Sequence, residues 1–298
     1  MNNEYSRERQ RMKLQNLVML VTGASQGLGK AIAEAFVSEG AHVAICARDR
    51  KMIDTARENL EQIASSGQKI LALGCDVASA SEVAELFAAI DREIGPIDVL
   101  VNNAGVYGPK GPSEEVDLEE WMRTIEINLL GTFLPARQAI TRMKPRKRGK
   151  IINLSGGGAT NPLPRISAYA AAKAAVVRLT ETLAEELREF GIQVNAVAPG
   201  ALNTRLLDEV LQAGSDVVGA EFYQKALKQR DSGGAPLQKG ADVCVYLASA
   251  QSDGITGKLL SAIWDPWDRL HEFSADLEKT DIYTLRRIIP MDRGLEWG

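Results

Sequence analysis

The chain has 298 residues, of which 45% are hydrophobic and 25% charged, with a formal net charge of −4. That length suits one large α/β domain or two small ones, and the mild acidity argues against nucleic acid as a partner. With only His42 and His271 available, no His-rich metal site or Ser-His-Asp triad is readable, and no metal is expected.

The N-terminal stretch, residues 1–15, reads as a polar arm without an apolar signal core. Its arginines alternate with Glu4 and Glu8, which also weighs against a mitochondrial transit peptide. No apolar run approaches the roughly 20 residues needed to span a bilayer, so no membrane association is expected. Cys46, Cys75 and Cys244 lie among apolar residues without Cys-x-x-Cys spacing, as buried free thiols in a reducing compartment would. A cytoplasmic location follows as the expectation.

From residue 16 onward, short β-type apolar runs alternate with longer helical ones. Residues 17–21, 41–46, 70–73, 99–101, 151–154 and 192–198 read as buried parallel strands. Residues 29–38, 52–64, 81–94, 118–143 and 167–190 read as helices between them. This alternation predicts an α/β, Rossmann-type doubly wound parallel sheet, a single domain with helices on both faces.

The first strand runs into Thr22-Gly-Ala-Ser-Gln-Gly-Leu-Gly29, which opens the first helix. Glycines there allow a tight turn and let backbone N–H groups approach a pyrophosphate at the helix N-terminus. The spacing Gly-x-x-x-Gly-x-Gly differs from the commoner Gly-x-Gly-x-x-Gly. After the second strand comes Cys46-Ala47-Arg48-Asp49. An acid at this point would hold the ribose of NAD, whereas an arginine suits the 2′-phosphate of NADP. Arg48 is the first charge past the strand and favours NADP(H); Asp49 leaves NAD open. The basic run at 142–150 reads as a solvated connection between a helix and a strand.

Tyr169-Ala-Ala-Ala-Lys173 lies in a helix-forming stretch and sets a phenol and an ammonium one turn apart on one face. A cation beside the phenol is expected to lower its pKa, which begins near 10, so that Tyr169 can exchange a proton with a carbonyl or alcohol oxygen. Residues 203–229 are helical where a simple crossover would be shorter, so 203–235 reads as an insertion covering a site. The extension at 264–298 carries Trp264, Trp267 and Trp297. So many aromatics argue against disorder. Packing across a subunit interface is the favoured expectation, with folding back on its own domain as the alternative.

Together these residues resemble the compact single-domain branch of the short-chain dehydrogenase/reductase family, over residues 16–263. The resemblance implies that Gly23, Ser25, Gln26, Gly27, Leu28 and Gly29 hold the dinucleotide, with Asp76 and Val77 at the adenine ring. It implies that Asn103, Ala104 and Gly105, within Asn102-Asn-Ala-Gly105, support the nicotinamide half. Pro199, Gly200, Leu202 and Thr204 would contact nicotinamide and pyrophosphate. Lys173 would also hold the nicotinamide ribose beside Tyr169, and Asn128 would hold a water in the proton relay. The implied activity is NADP-dependent reduction of a ketone or aldehyde to an alcohol, or the reverse, on a small-molecule substrate. Family members are commonly homodimers or homotetramers.

The sequence departs from the family at one place. The family's carbonyl-binding serine stands thirteen residues before the tyrosine, where this chain has Gly156; Ser155 lies one position early. Adjacent strand residues face opposite sides. Either the run Gly156-Gly-Gly158 swings Ser155 into the site, or the site works without that serine. Ser155 therefore stands as a candidate catalytic residue beside Tyr169, Lys173 and Asn128. The departure also keeps open a nucleotide-binding regulator with weak or lost turnover. A sugar-nucleotide epimerase or dehydratase, which shares the Tyr/Lys pair, fits poorly for want of a large C-terminal substrate domain.

Overall fold

The computed structural model describes residues 12–297. Seven parallel strands form one sheet: β1 (Val18–Thr22), β2 (His42–Ala47), β3 (Ile70–Gly74), β4 (Val99–Asn102), β5 (Gly149–Leu154), β6 (Ile192–Ala198) and β7 (Leu259–Ser261). Their spatial order is β3-β2-β1-β4-β5-β6-β7. The order reverses between β1 and β4, and a ligand crevice opens at such a switch point, outside the carboxyl ends of the strands.

Helices cover both faces, which explains why the strands read as continuous apolar runs. One face buries α1 (Gly27–Ser38), α2 (Arg50–Ile63) and α10 (Leu237–Ala248) through residues such as Ile32, Phe36, Ile53 and Val243. The other buries α3 (Ala80–Glu93), α5 (Gly131–Met143) and α6 (Ser167–Leu187) through Phe87, Ile90, Met143 and Leu187. Leu14, assigned from sequence to the polar arm, is fully buried in the first of these cores. Most of the expected arm, residues 1–11, lies outside the described residues.

The expected helix over 118–143 is interrupted. It runs as α4 (Leu118–Ile125), one π-helical turn (Glu126–Leu130), then α5. The cause is local: Asn128 Nδ2 donates 2.9 Å to the Thr124 carbonyl, taking the acceptor that an α-helical N–H would use. A side chain inserted into the ladder widens the turn, and such bulges recur at functional sites.

Residues 203–235 supply three short helices, α7 (Arg205–Ala213), α8 (Ser215–Val218) and α9 (Ala220–Ser232), packed around Leu207, Val210, Val218 and Ala226. The C-terminal extension follows β7 and includes the short α11 (Ser274–Lys279). It lies against its own domain. Leu270 and Leu277 join the first core, and Trp267 Nε1 donates 3.2 Å to the Ala262 carbonyl. Leu259 N–H donates 2.8 Å to the Tyr283 carbonyl, so the extension covers the outer edge of β7. The buried Lys258 ammonium fastens it by bonds to the Thr280 and Ile282 carbonyls, at 3.1 and 3.0 Å. The alternative expectation, folding back, thus describes these contacts, because the extension offers apolar anchors spaced to fill gaps in its own core.

Candidate active site

Thr22 at the end of β1 knits the switch point together. Its Oγ1 accepts from the N–H groups of Asn103 and Ala104, at 3.0 and 3.1 Å. Asn103 answers by donating Nδ2 to the carbonyls of Thr22 and Gly23, at 2.9 and 3.0 Å. Gly23 has φ +64°, and a β-carbon there would lie 2.7 Å from Ala104 Cα. Only glycine meets both demands. A β-carbon on Gly29 would stand 2.4 Å from Asn103 Nδ2, so the first turn of α1 must also be bare.

Gln26 caps α1 without a side-chain bond, and the first turn carries no acid. Its N–H groups and positive dipole end are therefore free for an anion. The Thr204 methyl group stands 3.5 Å from where a Gly27 β-carbon would be, which brings the loop after β6 over the glycine loop.

At the end of β2, Arg48 is exposed and makes no ion pair or hydrogen bond among the described residues. Asp49 is occupied: its Oδ1 accepts 3.0 Å from Met52 N–H and caps α2. Asp76 is likewise engaged, taking the Ala78 N–H at 3.0 Å on one oxygen and the Arg123 guanidinium on the other. This Arg123 contact was not legible from sequence, since the pair lies forty-seven positions apart.

Tyr169 and Lys173 project from α6 and are both buried. The Lys173 ammonium donates 2.7 Å to the Leu154 carbonyl at the end of β5 and lies 5.7 Å from the Tyr169 ring centre. Asn128 is fully buried behind them. Its Oδ1 accepts from Val106 N–H at 3.3 Å, and its Nδ2 donates to the Val106 carbonyl at 2.9 Å. A β-carbon on Gly105 would fall 2.7 Å from Asn128 Oδ1 and 3.6 Å from Lys173 Nζ, so this glycine lets the two groups flank one backbone segment.

The electrostatics differ from the sequence expectation. Burial, with Tyr107 adding to it, holds the Tyr169 phenol above its ordinary pKa rather than below. Burial also lowers the Lys173 ammonium to about 8. Desolvation disfavours both charged forms. Tyr107 is a residue that sequence reasoning missed. Its ring meets Tyr169 edge to face, centroids 4.7 Å apart at 81°.

Ser155 N–H keeps the ladder by donating 2.8 Å to the Val197 carbonyl, and its Oγ is buried with no hydrogen-bond partner. Gly156 is extended, φ −171° and ψ 173°, a conformation open to any residue. A β-carbon on Gly156 would point at the Tyr169 hydroxyl. The strand register is unaltered.

All these elements border one cavity of about 1390 Å³. Its walls include every candidate residue read from the sequence except Asn128, which stands behind Gly105. A single drug-sized ligand takes about 300–1,000 Å³, so this cavity has room for a dinucleotide and a second molecule. Among the described residues no cluster of three or more His, Cys, Asp or Glu could hold a metal ion, and no helix is long and apolar enough to cross a membrane.

A family model described as short chain dehydrogenase matches residues 17–214. The chain belongs to the short-chain dehydrogenase/reductase family. It is 39% identical over 248 residues to 3beta-hydroxysteroid dehydrogenase 1 of Eggerthella lenta, covering 83% of this chain and 92% of that one. Among solved structures, an actinorhodin polyketide ketoreductase variant with NADPH superposes at a TM-score of 0.75 with 32% identity, covering 83% and 95% of the two chains. NAD⁺-bound xylitol dehydrogenase superposes at 0.76 with 28% identity, covering 84% and 98%. The short-chain dehydrogenase/reductase is thus an oxidoreductase that binds a nucleotide cofactor and acts on carbonyl or CH–OH groups.

Proposed function

We propose that this enzyme is an NADP(H)-dependent carbonyl reductase. The observation that carries the cofactor choice is the contrast at the end of β2, where Arg48 is free and Asp49 is spent as a helix cap. A guanidinium pairs with a phosphate dianion through parallel hydrogen bonds and charge, which NADPH offers at its 2′ position and NADH does not. The relatives named above include both NADPH and NAD⁺ complexes, so the choice rests on these two side chains.

The bare N-terminus of α1 and the Thr204 loop above it fit a pyrophosphate. Bound NADPH would supply the hydride. Tyr169 is the only phenol on α6 that faces the cavity, and held protonated by its burial it serves as proton donor to the carbonyl oxygen. Lys173, fixed by the Leu154 carbonyl, would favour the phenolate left behind and bind the nicotinamide ribose. Asn128 holds the Val106 backbone, and with it the wall next to Lys173; its proposed water would link that lysine to solvent. No serine is assigned to polarise the carbonyl.

Titrating NADPH and NADH against wild type and Arg48→Ala tests the cofactor reading. The variant should lose at least about tenfold in NADPH affinity with little change for NADH, given the strength of charge-assisted pairs. Equal losses would reject it. The glycine at 156 favours one second reading, a nucleotide-binding regulator with weak turnover; NADPH binding without consumption across a broad carbonyl panel would select it.

Two further parts of the proposal have separate support. A homodimer or homotetramer is supported by the apolar side chains Leu118, Met122, Leu130 and Phe133, exposed along α4, the π turn and α5. A cytoplasmic location is supported by three buried thiols without a disulfide.

A further inference from the structure

Past Tyr169 the cavity continues between the loop after β5, the helices α7 and α9, and the turn after β7. The apolar surfaces along this reach are Tyr107, Leu163, Leu206, Val210 and Phe222. Trp264 stands at the mouth. It lines the cavity yet is 85% exposed, the largest exposure among the big hydrophobic side chains of the described residues.

That tryptophan is mounted rather than loose. Its backbone N–H donates 3.2 Å to Ser261 Oγ, and the neighbouring Asp265 carboxylate accepts 2.6 Å from Ser261 N–H. A large aromatic on a braced turn, with no apolar partner over most of its surface, is suited to cover a ligand.

Several polar side chains of the same reach have partners within the chain, while Asp208 has none among the described residues. Gln229 Nε2 donates 3.0 Å to the Leu202 carbonyl, Lys225 pairs with Glu221 at 2.7 Å, and Arg205 lies 3.6 Å from Glu209. Asp265 is committed to the Ser261 turn. A substrate dense in hydroxyls would lose its water against these apolar walls, at a cost of order 1–3 kcal/mol for each group left unpaired there. An apolar frame loses nothing of that kind and gains by covering Phe222 and Trp264.

We infer that the substrate is a bulky apolar ketone, its ring system enclosed by Tyr107, Phe222 and Trp264, and not a polyhydroxylated carbonyl compound. This rests on the carbonyl-reductase reading above, and the test separates the two.

The probes are trans-1-decalone, a saturated two-ring ketone, and a ketopentose, each assayed with NADPH and the full-length enzyme. Decalone should exceed the ketopentose by at least about 100-fold in kcat/KM, since unpaired polar groups of the kind above discriminate by that much or more. Trp264→Ala should raise the KM for decalone about tenfold while the NADPH dissociation constant stays put, whereas a merely structural tryptophan would move both. Equal or greater efficiency with the ketopentose would overturn the substrate class and leave the reductase standing. Should NADPH bind but neither probe turn over, Trp264 fluorescence decides: decalone quenching that disappears in Trp264→Phe upholds the apolar site and removes the reductase reading. No quenching in that case removes both.

Discussion

A β-carbon placed on Gly156 would lie 2.3 Å from the Tyr169 hydroxyl. The Tyr169 phenol therefore occupies space that any side chain at 156 would need, and the glycine is what allows the phenol its position. Gly156→Ala is expected to push the hydroxyl aside and lower kcat by about 100-fold, the scale of an ångström-sized misplacement. Gly156→Ser should displace it equally but return a hydroxyl donor beside it, recovering part of that loss. Steady-state rates with NADPH check the order; Gly156→Ala at wild-type rate would show that Tyr169 does not depend on this space.

The proposed mechanism gives Ser155 no part in the chemistry. Its Oγ is buried without a partner, so Ser155→Ala should leave turnover within about twofold. It should also keep or slightly raise the urea midpoint, because removing an unsatisfied buried hydroxyl costs nothing and relieves about 1 kcal/mol or more. A large loss of kcat would mean that the serine enters the site during the reaction.

Tyr169→Phe removes only the hydroxyl from a buried ring. We expect turnover to fall by at least about 100-fold, in line with typical general-acid contributions. NADPH affinity should change little, since the proposed phosphate contacts lie at Gln26, Arg48 and Thr204. Single-turnover rates and a binding titration separate these effects. Retention of more than a tenth of wild-type rate would sink the assigned role.

Lys173 ties stability to pH. Its ammonium is lowered by burial to about 8, against 10.5 for the ordinary group. Between pH 8 and 10.5 the unfolded chain holds a proton that the folded chain has released, so raising pH through that window favours folding. Below pH 8 both states hold it, and the full burial cost of about 3 kcal/mol is present. Lys173→Met should thus stabilise the protein at pH 7 by about 2 kcal/mol, after allowing for the lost bond to the Leu154 carbonyl. The same variant should lose activity. Thermal melts from pH 7 to 10.5 would show wild type gaining on the variant as pH rises; a constant gap would contradict the buried charge.

The extension beyond β7 contributes to the core rather than hanging from it. Leu270 is 2% exposed within the first core cluster. Leu270→Ala should cost about 2–4 kcal/mol in denaturant unfolding, as buried leucine truncations do. An unchanged midpoint would mean that the extension does not dock as described.

The strand and helix alternation was legible in the chain because burial on both sheet faces leaves runs of apolar residues, and helices leave a 3.6-residue rhythm. The glycine loop and the Tyr169/Lys173 pair were legible for a similar reason: each works through spacing along one element. Gly156 was visible as a departure by counting, but the direction of Ser155 was not, since it depends on how β5 pairs with β6 at Val197. The π turn at Asn128 was hidden because a side chain competing for the Thr124 carbonyl leaves the apolar rhythm intact. Partners far apart in the chain were beyond reach: Arg123 on Asp76, Tyr107 against Tyr169, and Trp264 at the cavity mouth. Sequence also misjudged the sign of the Tyr169 shift. Spacing shows that a cation is near, but only the folded packing determines how much water both groups lose, and at this site burial raises the phenol and lowers the ammonium.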